Sequence, residues 1–176
     1  MADRWQELYR AAAREFAHGF DGASLNAMLA EAGMSKSSFY HQVADKAHLF
    51  DLVVRAALGA TGVELPEIPR TAAEFSLMRS RLLEGIEAAW PSSSLPWLAG
   101  LVQAGDAPTD SELDRAVRTL HDWLTEYIGR GRELGEFSSR LELGRAVDLA
   151  WMLLLELAKE PDIEVLGELA TGRISL

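Results

Sequence analysis

Residue types that start and end helices alternate at short intervals near the N-terminus. Ser24, Ser35 and Asp45 are types that accept a hydrogen bond from the first free backbone amides of a helix. Gly33 and Gly59 are the type that ends a helix at little cost, because glycine adopts left-handed backbone angles without strain. This spacing leaves room only for short helices joined by tight turns. It predicts a compact tri-helical unit.

Apolar residues inside these segments recur with the period of a helix that is buried on one side. In the helix that follows Ser35, Phe39 and Val43 lie four residues apart and form the inward face. That register leaves an outward face composed of Lys36, Ser37, Tyr40 and His41. An earlier helix begins after Asp3, which is a candidate N-cap, and ends at Gly19. Its apolar face consists of Trp5, Leu8, Ala12 and Phe16.

The remainder of the chain is also helical in pattern, but it follows a linker. Residues 59–70 contain Pro66 and Pro69, and each proline disfavours helical geometry in the residue before it. Beyond the linker, apolar periodicity and helix breakers predict helices over 71–89, 95–104, 110–131, 142–159 and 162–170. No segment shows the alternation typical of a strand. We therefore predict an all-α fold with an N-terminal module at residues 1–58 and a helical domain at residues 59–176.

Composition excludes several classes of function. The chain has no cysteine, which excludes a disulfide framework and a thiolate zinc site and suits a reducing cytosol. We find neither the apolar run of a signal peptide nor a stretch long enough to span a membrane, so we expect a cytoplasmic protein without a membrane partner. The four histidines lack metal-ligand spacing, and no catalytic arrangement of side chains is evident. We expect no metal, no cofactor and no enzymatic activity.

The formal net charge of -10 is distributed unevenly along the chain. Residues 1–58 hold six Lys or Arg against seven Asp or Glu, whereas residues 59–176 hold eleven against twenty. Neutralisation of phosphates by Lys and Arg supplies most non-specific affinity for DNA. A near-neutral module therefore binds DNA only if its basic residues share one face, and it depends on a second copy for affinity.

A helix, a tight turn at Gly33 and a second helix form the geometry that places the second helix in the major groove of DNA. The second helix of this pair opens with small hydroxyls and one cation, in the order Ser35, Lys36, Ser37 and Ser38. Such residues meet phosphates and base edges well and fill a protein core poorly. The pattern predicts a DNA-binding helix-turn-helix.

The run from Phe20 to Phe50 resembles the DNA-binding module of the tetracycline-repressor family. Ala32-Gly33-Met34-Ser35-Lys36 resembles that family's Ala-Gly-Val-Ser-Lys turn. Phe39-Tyr40-His41 resembles its Leu-Tyr-Tyr/His step, and Asp45-Lys46 resembles the start of its fourth helix. The resemblance covers about the first third of the chain. It implies double-stranded DNA as a partner.

The resemblance also implies which residues contact DNA. The third helix would contact base edges or adjacent phosphates through Lys36, Ser37, Ser38, Tyr40 and His41. Lys46 would reach a phosphate from the fourth helix, and Ser24 and Asn26 would meet the backbone from the second. The chain departs from the family pattern at Val43, where an aromatic residue is usual, and at Ser37, where glycine is frequent. It also lacks the basic N-terminal arm that many members have.

For the second domain, the resemblance implies that an unidentified small-molecule effector binds and that two chains form a homodimer. Aromatic and sulfur-containing side chains can line a pocket between helices. The candidates for such a pocket are Met78, Trp90, Trp97, Trp123, Tyr127 and Trp151. For any single one of them ordinary core packing is the better explanation, whereas for the group the resemblance favours some contribution to a pocket. The broadly apolar helix over residues 141–157 needs partners on more than one side. The candidate dimer residues are Val147, Leu154, Leu157 and Leu166.

These inferences favour a homodimeric repressor that binds a palindromic operator and is released by an effector. A dimer suits this function because two recognition helices one DNA turn apart read successive major grooves. The alternative is a protein of the same fold that has lost operator binding and acts as a protein-interaction or ligand-binding module. The acidic charge and the missing basic arm motivate that alternative.

Overall fold

The computed structural model describes residues 2–62, 64–89 and 94–159. Its helices are α1 (Ala2–Phe16), α2 (Leu25–Glu31), α3 (Lys36–Tyr40), α4 (Lys46–Thr61), α5 (Ala72–Ala89), α6 (Ser94–Ala104), α7 (Glu112–Glu133) and α8 (Leu143–Lys159). No strand occurs within these ranges, so the predicted all-α fold is confirmed there. The helix predicted over 162–170 lies outside the described residues. None of the described helices is long and apolar enough to cross a membrane.

The predicted helix starts of the N-terminal module are confirmed in three cases. The side chains of Ser24, Ser35 and Asp45 each accept a hydrogen bond from the backbone amide three residues further along, at 3.3, 3.1 and 2.7 Å. Gly33 adopts a φ of 59°, the left-handed angle that ends α2. The prediction for Asp3 was wrong, because α1 already begins before it.

Three phenylalanine rings and buried aliphatic side chains form the core of the N-terminal module. Phe16 meets Phe50 edge to face at 5.1 Å and stacks on Phe20 at 5.9 Å between ring centroids. Phe20 in turn meets Phe50 edge to face at 5.4 Å. Such offset and edge-on pairs are the favoured arrangements of aromatic rings. The predicted inward residues Phe39 and Val43 are also fully buried.

Among the described residues, contacts divide the chain into two compact units. The first unit comprises residues up to 60 together with residues 97–116, and the second comprises the others. The segment 97–116 therefore packs with the N-terminal module although it follows it in sequence by almost forty residues. A domain boundary between residues 58 and 59 stays a prediction.

Polar contacts attach the segment 97–116 to the rest of the first unit. The indole nitrogen of Trp97 donates to the Ala13 carbonyl at 2.9 Å, which reaches α1. The Glu112 amide donates to the Asp51 carboxylate at 2.8 Å, and its side chain forms an ion pair with Arg55, which reaches α4. These contacts satisfy polar groups that would otherwise be buried at a cost of about 1–3 kcal/mol each.

Stacked aromatic rings form the core of the second unit. Tyr127 stacks on Phe75 at 4.4 Å and on Trp123 at 4.9 Å, and Phe137 meets Phe75 edge to face at 5.2 Å. Gly131 makes this packing possible, because a Cβ atom there would lie 2.8 Å from the Phe75 ring. The buried face of α8 completes the core with Ala146, Val147 and Ala150.

Candidate nucleic-acid interface

The short helix α3 has one buried side and one exposed side. Phe39 is fully buried and anchors the helix in the module. The exposed residues of α3 and its C-cap are Lys36, Ser37, Ser38, Tyr40 and His41. Ser24 and Asn26, at the start of α2, are exposed as well. The structure therefore leaves seven of the eight predicted DNA-binding residues open to solvent.

Tyr40 is the most conspicuous side chain on the exposed side of α3. Its exposed fraction is 54%, which is high for an aromatic residue. Its ring meets the buried Phe39 ring edge to face, with centroids 5.1 Å apart. This contact supports one edge of the Tyr40 ring while more than half of the residue stays open to solvent. A supported, amphipathic ring of this kind suits contact with a macromolecule.

The turn between α2 and α3 is held by its own hydrogen bonds. The Ser35 hydroxyl caps α3 and also lies 2.9 Å from the Ser38 hydroxyl. The Met34 amide donates to the Leu29 carbonyl at 2.9 Å, which closes the C-terminus of α2. Each serine hydroxyl keeps a further lone pair or proton for an outside partner. The turn is therefore ordered without using up its polar groups.

Lys46 is partly buried, because its ammonium group binds the turn that follows α1. It donates to the Phe20 carbonyl at 2.8 Å and to the Ala23 carbonyl at 3.1 Å, and it lies 4.3 Å from the centre of the Phe20 ring. An ammonium group has three donor hydrogens. Two of the three hydrogens of Lys46 bind carbonyls of its own module, and one remains for a phosphate. Its main contacts therefore stabilise the module.

The other Lys and Arg side chains of the N-terminal module differ in whether they already have an ion-pair or hydrogen-bond partner. Three arginines form ion pairs with carboxylates, namely Arg10 with Glu7, Arg14 with Glu31, and Arg55 with Glu112. Among the described residues of the module, Lys36 and Arg4 are the Lys or Arg side chains without a hydrogen-bond or ion-pair partner. Exposed ion pairs contribute about 0–1 kcal/mol and exchange partners readily. The ammonium group of Lys36 on α3 therefore has no partner among the described residues that a phosphate would have to displace.

One group at this site escaped the sequence analysis. The Asp106 carboxylate accepts a hydrogen bond from the Asp21 amide at 3.0 Å, across 85 residues of sequence. Hydrogen bonds from the amides of Phe20 and Asp21 hold the pKa of Asp106 below its ordinary value. The sequence signal for this contact was the glycine at position 19. Its φ of 100° favours glycine, and a Cβ atom at this position would lie 2.5 Å from the Asp106 carboxylate.

Neighbouring arginines favour the ionised form of a second carboxylate in the segment 97–116. Glu112 accepts hydrogen bonds from Arg55 and, at 3.1 Å, pairs with Arg115. The hydrogen bond from Arg55 is the main cause that lowers the pKa of Glu112, and the same contact raises the pKa of Arg55. The pair therefore stays ionised across the neutral pH range.

The predicted pocket residues fall into three groups. Tyr127 belongs to the buried core of the second unit, and Met78, Trp123 and Trp151 pack against that core as partly buried side chains. Trp97 lies instead in the first compact unit, where it binds α1. Trp90 lies outside the described residues. The structure brings four of the six candidates together in one core, and the effector pocket stays a prediction.

The predicted dimer residues are mostly turned away from solvent. Val147 and Leu157 are buried within the chain itself, and Leu154 packs against the core of the second unit. A residue that its own chain already buries offers little surface to a partner, and the role of these positions in a dimer stays a prediction. The predicted residue Leu166 lies outside the described residues. The large exposed apolar side chains of α8 are Leu149, at 42%, and Met152, at 56%.

Comparison with known proteins agrees with this geometry. Residues 8–53 match the N-terminal domain of the family described as bacterial regulatory proteins, tetR family. No curated protein is significantly similar to the chain in sequence. The match is to regulatory proteins, which agrees with the expectation that the chain is not an enzyme.

Two solved structures share the fold of the chain over nearly its full length. One is a HlyIIR mutant protein in which a segment is replaced by a linker containing two thrombin sites, with a TM-score of 0.59, 13% identity and coverage of 97% of both chains. The other is a HlyIIR mutant protein with a segment substituted by alanine, with a TM-score of 0.59, 13% identity and coverage of 96% of this chain and 95% of that chain. At this identity the likeness shows the fold alone. The match at residues 8–53 includes α2 and α3, so over these residues the chain is similar to the tetR family of bacterial regulatory proteins.

Proposed function

We propose that the chain is a homodimeric transcriptional repressor that binds a palindromic operator and is released from it by a small-molecule effector. One observation carries the DNA-binding part of this proposal. Lys36 and Tyr40 are exposed on α3 while Phe39, from the same helix, is buried. A recognition helix needs this division, because one side must be fixed in the protein while the other enters the major groove.

The exposed residues have the chemistry for two kinds of DNA contact. Lys36 and Tyr40 would contact base edges or phosphates from α3, together with the hydroxyls of Ser37 and Ser38 and the ring of His41. Ser24 and Asn26 would meet the sugar-phosphate backbone from the start of α2. Ser24 already stabilises α2 as its N-cap, which contributes about 1 kcal/mol, so it would serve both purposes.

A dimer would place two copies of α3 on one face of the duplex. In helix-turn-helix dimers the two recognition helices lie about 34–36 Å apart, which matches one turn of DNA. Leu149 and Met152 are apolar and exposed on α8, so they are our candidates for contact with a second chain. Burial of such side chains drives association.

The effector would bind in the second unit. Met78, Trp123 and Trp151 are only partly buried around its aromatic core, and ligand sites in helical proteins form between helices with mostly apolar walls. If the effector releases the repressor, DNA and effector must weaken each other's binding by the same factor.

The test is selection of bound sequences from random duplex DNA at about 0.1 M salt, where a dimer that makes several phosphate contacts still binds. We expect enrichment of a palindrome with half-sites one helical turn apart. Lys36→Ala should then weaken operator binding, whereas Arg140→Ala, which removes the same charge from the second unit, should not. A folded dimer that enriches no sequence would refute the proposal.

The alternative is a regulator of the same fold that binds no operator and acts through proteins or ligands. The observation in its favour is that three arginines of the N-terminal module are already paired with carboxylates. It predicts no affinity for DNA above background at about 0.1 M salt. Affinity for duplex DNA that falls steeply as salt is raised would exclude it.

A further inference from the structure

The turn that joins α1 to α2, here called the α1–α2 turn (residues 17–23), is held from two directions. From α4, the ammonium group of Lys46 binds the carbonyls of Phe20 and Ala23. From the segment 97–116, the carboxylate of Asp106 binds the amide of Asp21. A cation on the carbonyls and an anion on the amides are the matched partners for the free backbone groups of a turn.

The steric fit between the turn and Asp106 is as close as the hydrogen bonds. At Gly19 the backbone adopts a φ of 100°, and a Cβ atom at this position would lie 2.5 Å from the Asp106 Oδ2 atom. Glycine therefore serves two purposes here, since it takes the left-handed angle and leaves room for the carboxylate. The residue at 19 and the residue at 106 fit each other as a pair.

The α1–α2 turn leads directly into the helix-turn-helix. Ser24, the N-cap of α2, follows it, and its amide donates to the Glu15 carboxylate of α1 at 2.9 Å. The direction in which α2 leaves the turn sets the position of α3, because the two helices are joined by a short, hydrogen-bonded turn. A change in the α1–α2 turn is therefore passed to the exposed side of α3.

Asp106 differs from the other polar attachments of its segment. Trp97 binds α1 and Glu112 binds α4, both through the body of a helix. Asp106 binds the turn itself, and it lies outside the range 8–53 that matches the family's domain. Its ionised state is favoured by the amides that it binds and by the charge of Lys46, which lower its pKa.

We propose that Asp106 is a positioning residue for operator binding: its carboxylate fixes the α1–α2 turn and thereby the direction of α2 and α3. This proposal rests on the proposed function, since it concerns the affinity of the same exposed helix for an operator. It makes operator affinity depend on a side chain of the segment 97–116, which the family's DNA-binding domain does not contain.

The experiment uses the full chain and three variants. Asp106→Ala removes both acceptor oxygens, Asp106→Asn keeps one uncharged acceptor of the same size, and Asp122→Ala is the control. Asp122 is an exposed carboxylate on α7 in the second unit, so its loss changes the net charge equally. Operator affinity is titrated at fixed salt with a duplex selected on the unaltered chain, at a temperature where circular dichroism shows every variant folded.

We expect Asp106→Ala to weaken operator binding about tenfold or more, the factor that corresponds to one charge-assisted hydrogen bond. Asp106→Asn should recover part of that loss, and Asp122→Ala should bind as the unaltered chain does. Sedimentation should show an unchanged assembly state. Hydrogen exchange supplies a readout that does not depend on DNA: protection of the Phe20 and Asp21 amides should fall in Asp106→Ala, while amides within α4 keep theirs.

Two results would overturn the proposal. The first is an Asp106→Ala chain that is folded and binds the operator as tightly as the unaltered chain. The second is a loss of affinity that accompanies equal loss of exchange protection throughout the first unit, which indicates general destabilisation. A different outcome, in which the unaltered chain binds no operator, would refute the proposed function and with it the role of Asp106, while the exchange measurement would still report on the turn.

Discussion

The contacts within the first compact unit differ in kind from the contacts within the second. Both units have an aromatic core, but in the first unit side chains from the segment 97–116 also bind backbone groups of the N-terminal module, as Trp97 does at Ala13 and Asp106 at Asp21. In the second unit, aromatic rings stack around Tyr127. Hydrogen bonds to backbone groups fix direction and register, whereas stacked rings supply buried area. The first unit, which we propose contacts DNA, therefore combines an aromatic core with hydrogen bonds that fix its geometry.

This comparison predicts that the second unit depends most on single ring contacts. Phe75 is buried and lies against both Tyr127 and Phe137, so Phe75→Ala should reduce the free energy of unfolding by about 3–5 kcal/mol. The neighbouring exposed residue offers a control, since Leu77→Ala should change it by less than about 0.5 kcal/mol. Urea unfolding followed by circular dichroism measures both. A similar small change in both variants would show that the stacked rings are not the main stabilising contact.

A pair of glycines on α7 tests the same core with changes of opposite sign. At Gly131 a Cβ atom would clash with the Phe75 and Phe137 rings, so Gly131→Ala should destabilise the protein by about 1–3 kcal/mol. At Gly129 the nearest atom, from Leu143, is 4.0 Å away. Gly129→Ala should therefore stabilise the helix by about 0.5–1 kcal/mol. Thermal melts of the two variants should shift in opposite directions, and shifts of the same sign would contradict the ring packing.

In the second unit, the guanidinium group of Arg132 has unpaired donors within the described part of the chain, whereas Trp97 and Asp106 in the first unit have hydrogen-bond partners. Among the described residues, none forms a hydrogen bond with the buried Nε and Nη2 atoms of Arg132. Such unmet donors are costly, so Arg132→Met, which keeps the length of the side chain, should raise the free energy of unfolding by about 1 kcal/mol. Arg140→Met, at an exposed position, is the control. A lower melting temperature for Arg132→Met alone would mean that the guanidinium group has a partner in solution.

The sequence predicted the features that arise from residues close together along the chain. Helix starts at Ser24, Ser35 and Asp45 follow from local chemistry, and so does the inward side of α3 at Phe39. The bounds of α5 to α8 likewise lie within two residues of those predicted, because apolar periodicity and helix breakers are local signals. Such features depend on residues a few positions apart.

Contacts between distant residues were not predictable in this way. Nothing in the sequence singled out Asp106 or Glu112, because their partners are backbone amides and an arginine far along the chain. Lys46 looked like a phosphate-binding residue, yet most of its hydrogen-bonding capacity is used on the α1–α2 turn. Trp123, Tyr127 and Trp151 share one core, but periodicity alone did not show that Trp97 belongs with the first unit.

The smallest expected effect concerns acid, and it sharpens the comparison because the first unit depends on ionised carboxylates. The pKa values of Asp106 and Glu112 are lowered, mainly by amide hydrogen bonds and by the hydrogen bond from Arg55 respectively. A group with a lowered native pKa contributes stability above its ordinary pKa, 3.8 for Asp106 and 4.5 for Glu112, and this contribution is lost as pH falls through the native value. The second unit has a comparable carboxylate in Glu142, whose pKa is lowered by the amides of Gly144 and Arg145.

Acidification from about pH 6 to pH 3 should therefore reduce exchange protection in the first unit through Asp106 and Glu112. The double variant Asp106→Asn, Glu112→Gln should be less stable at pH 6 and should lose less on acidification, because the groups that titrate are gone. Glu142→Gln should flatten the acid response of amides at the start of α8 and leave that of the Asp21 amide unchanged. Hydrogen exchange resolved by residue distinguishes the two responses. If the double variant lost as much stability between these pH values as the unaltered chain, the polar contacts of the segment 97–116 would not be what makes the first unit sensitive to acid.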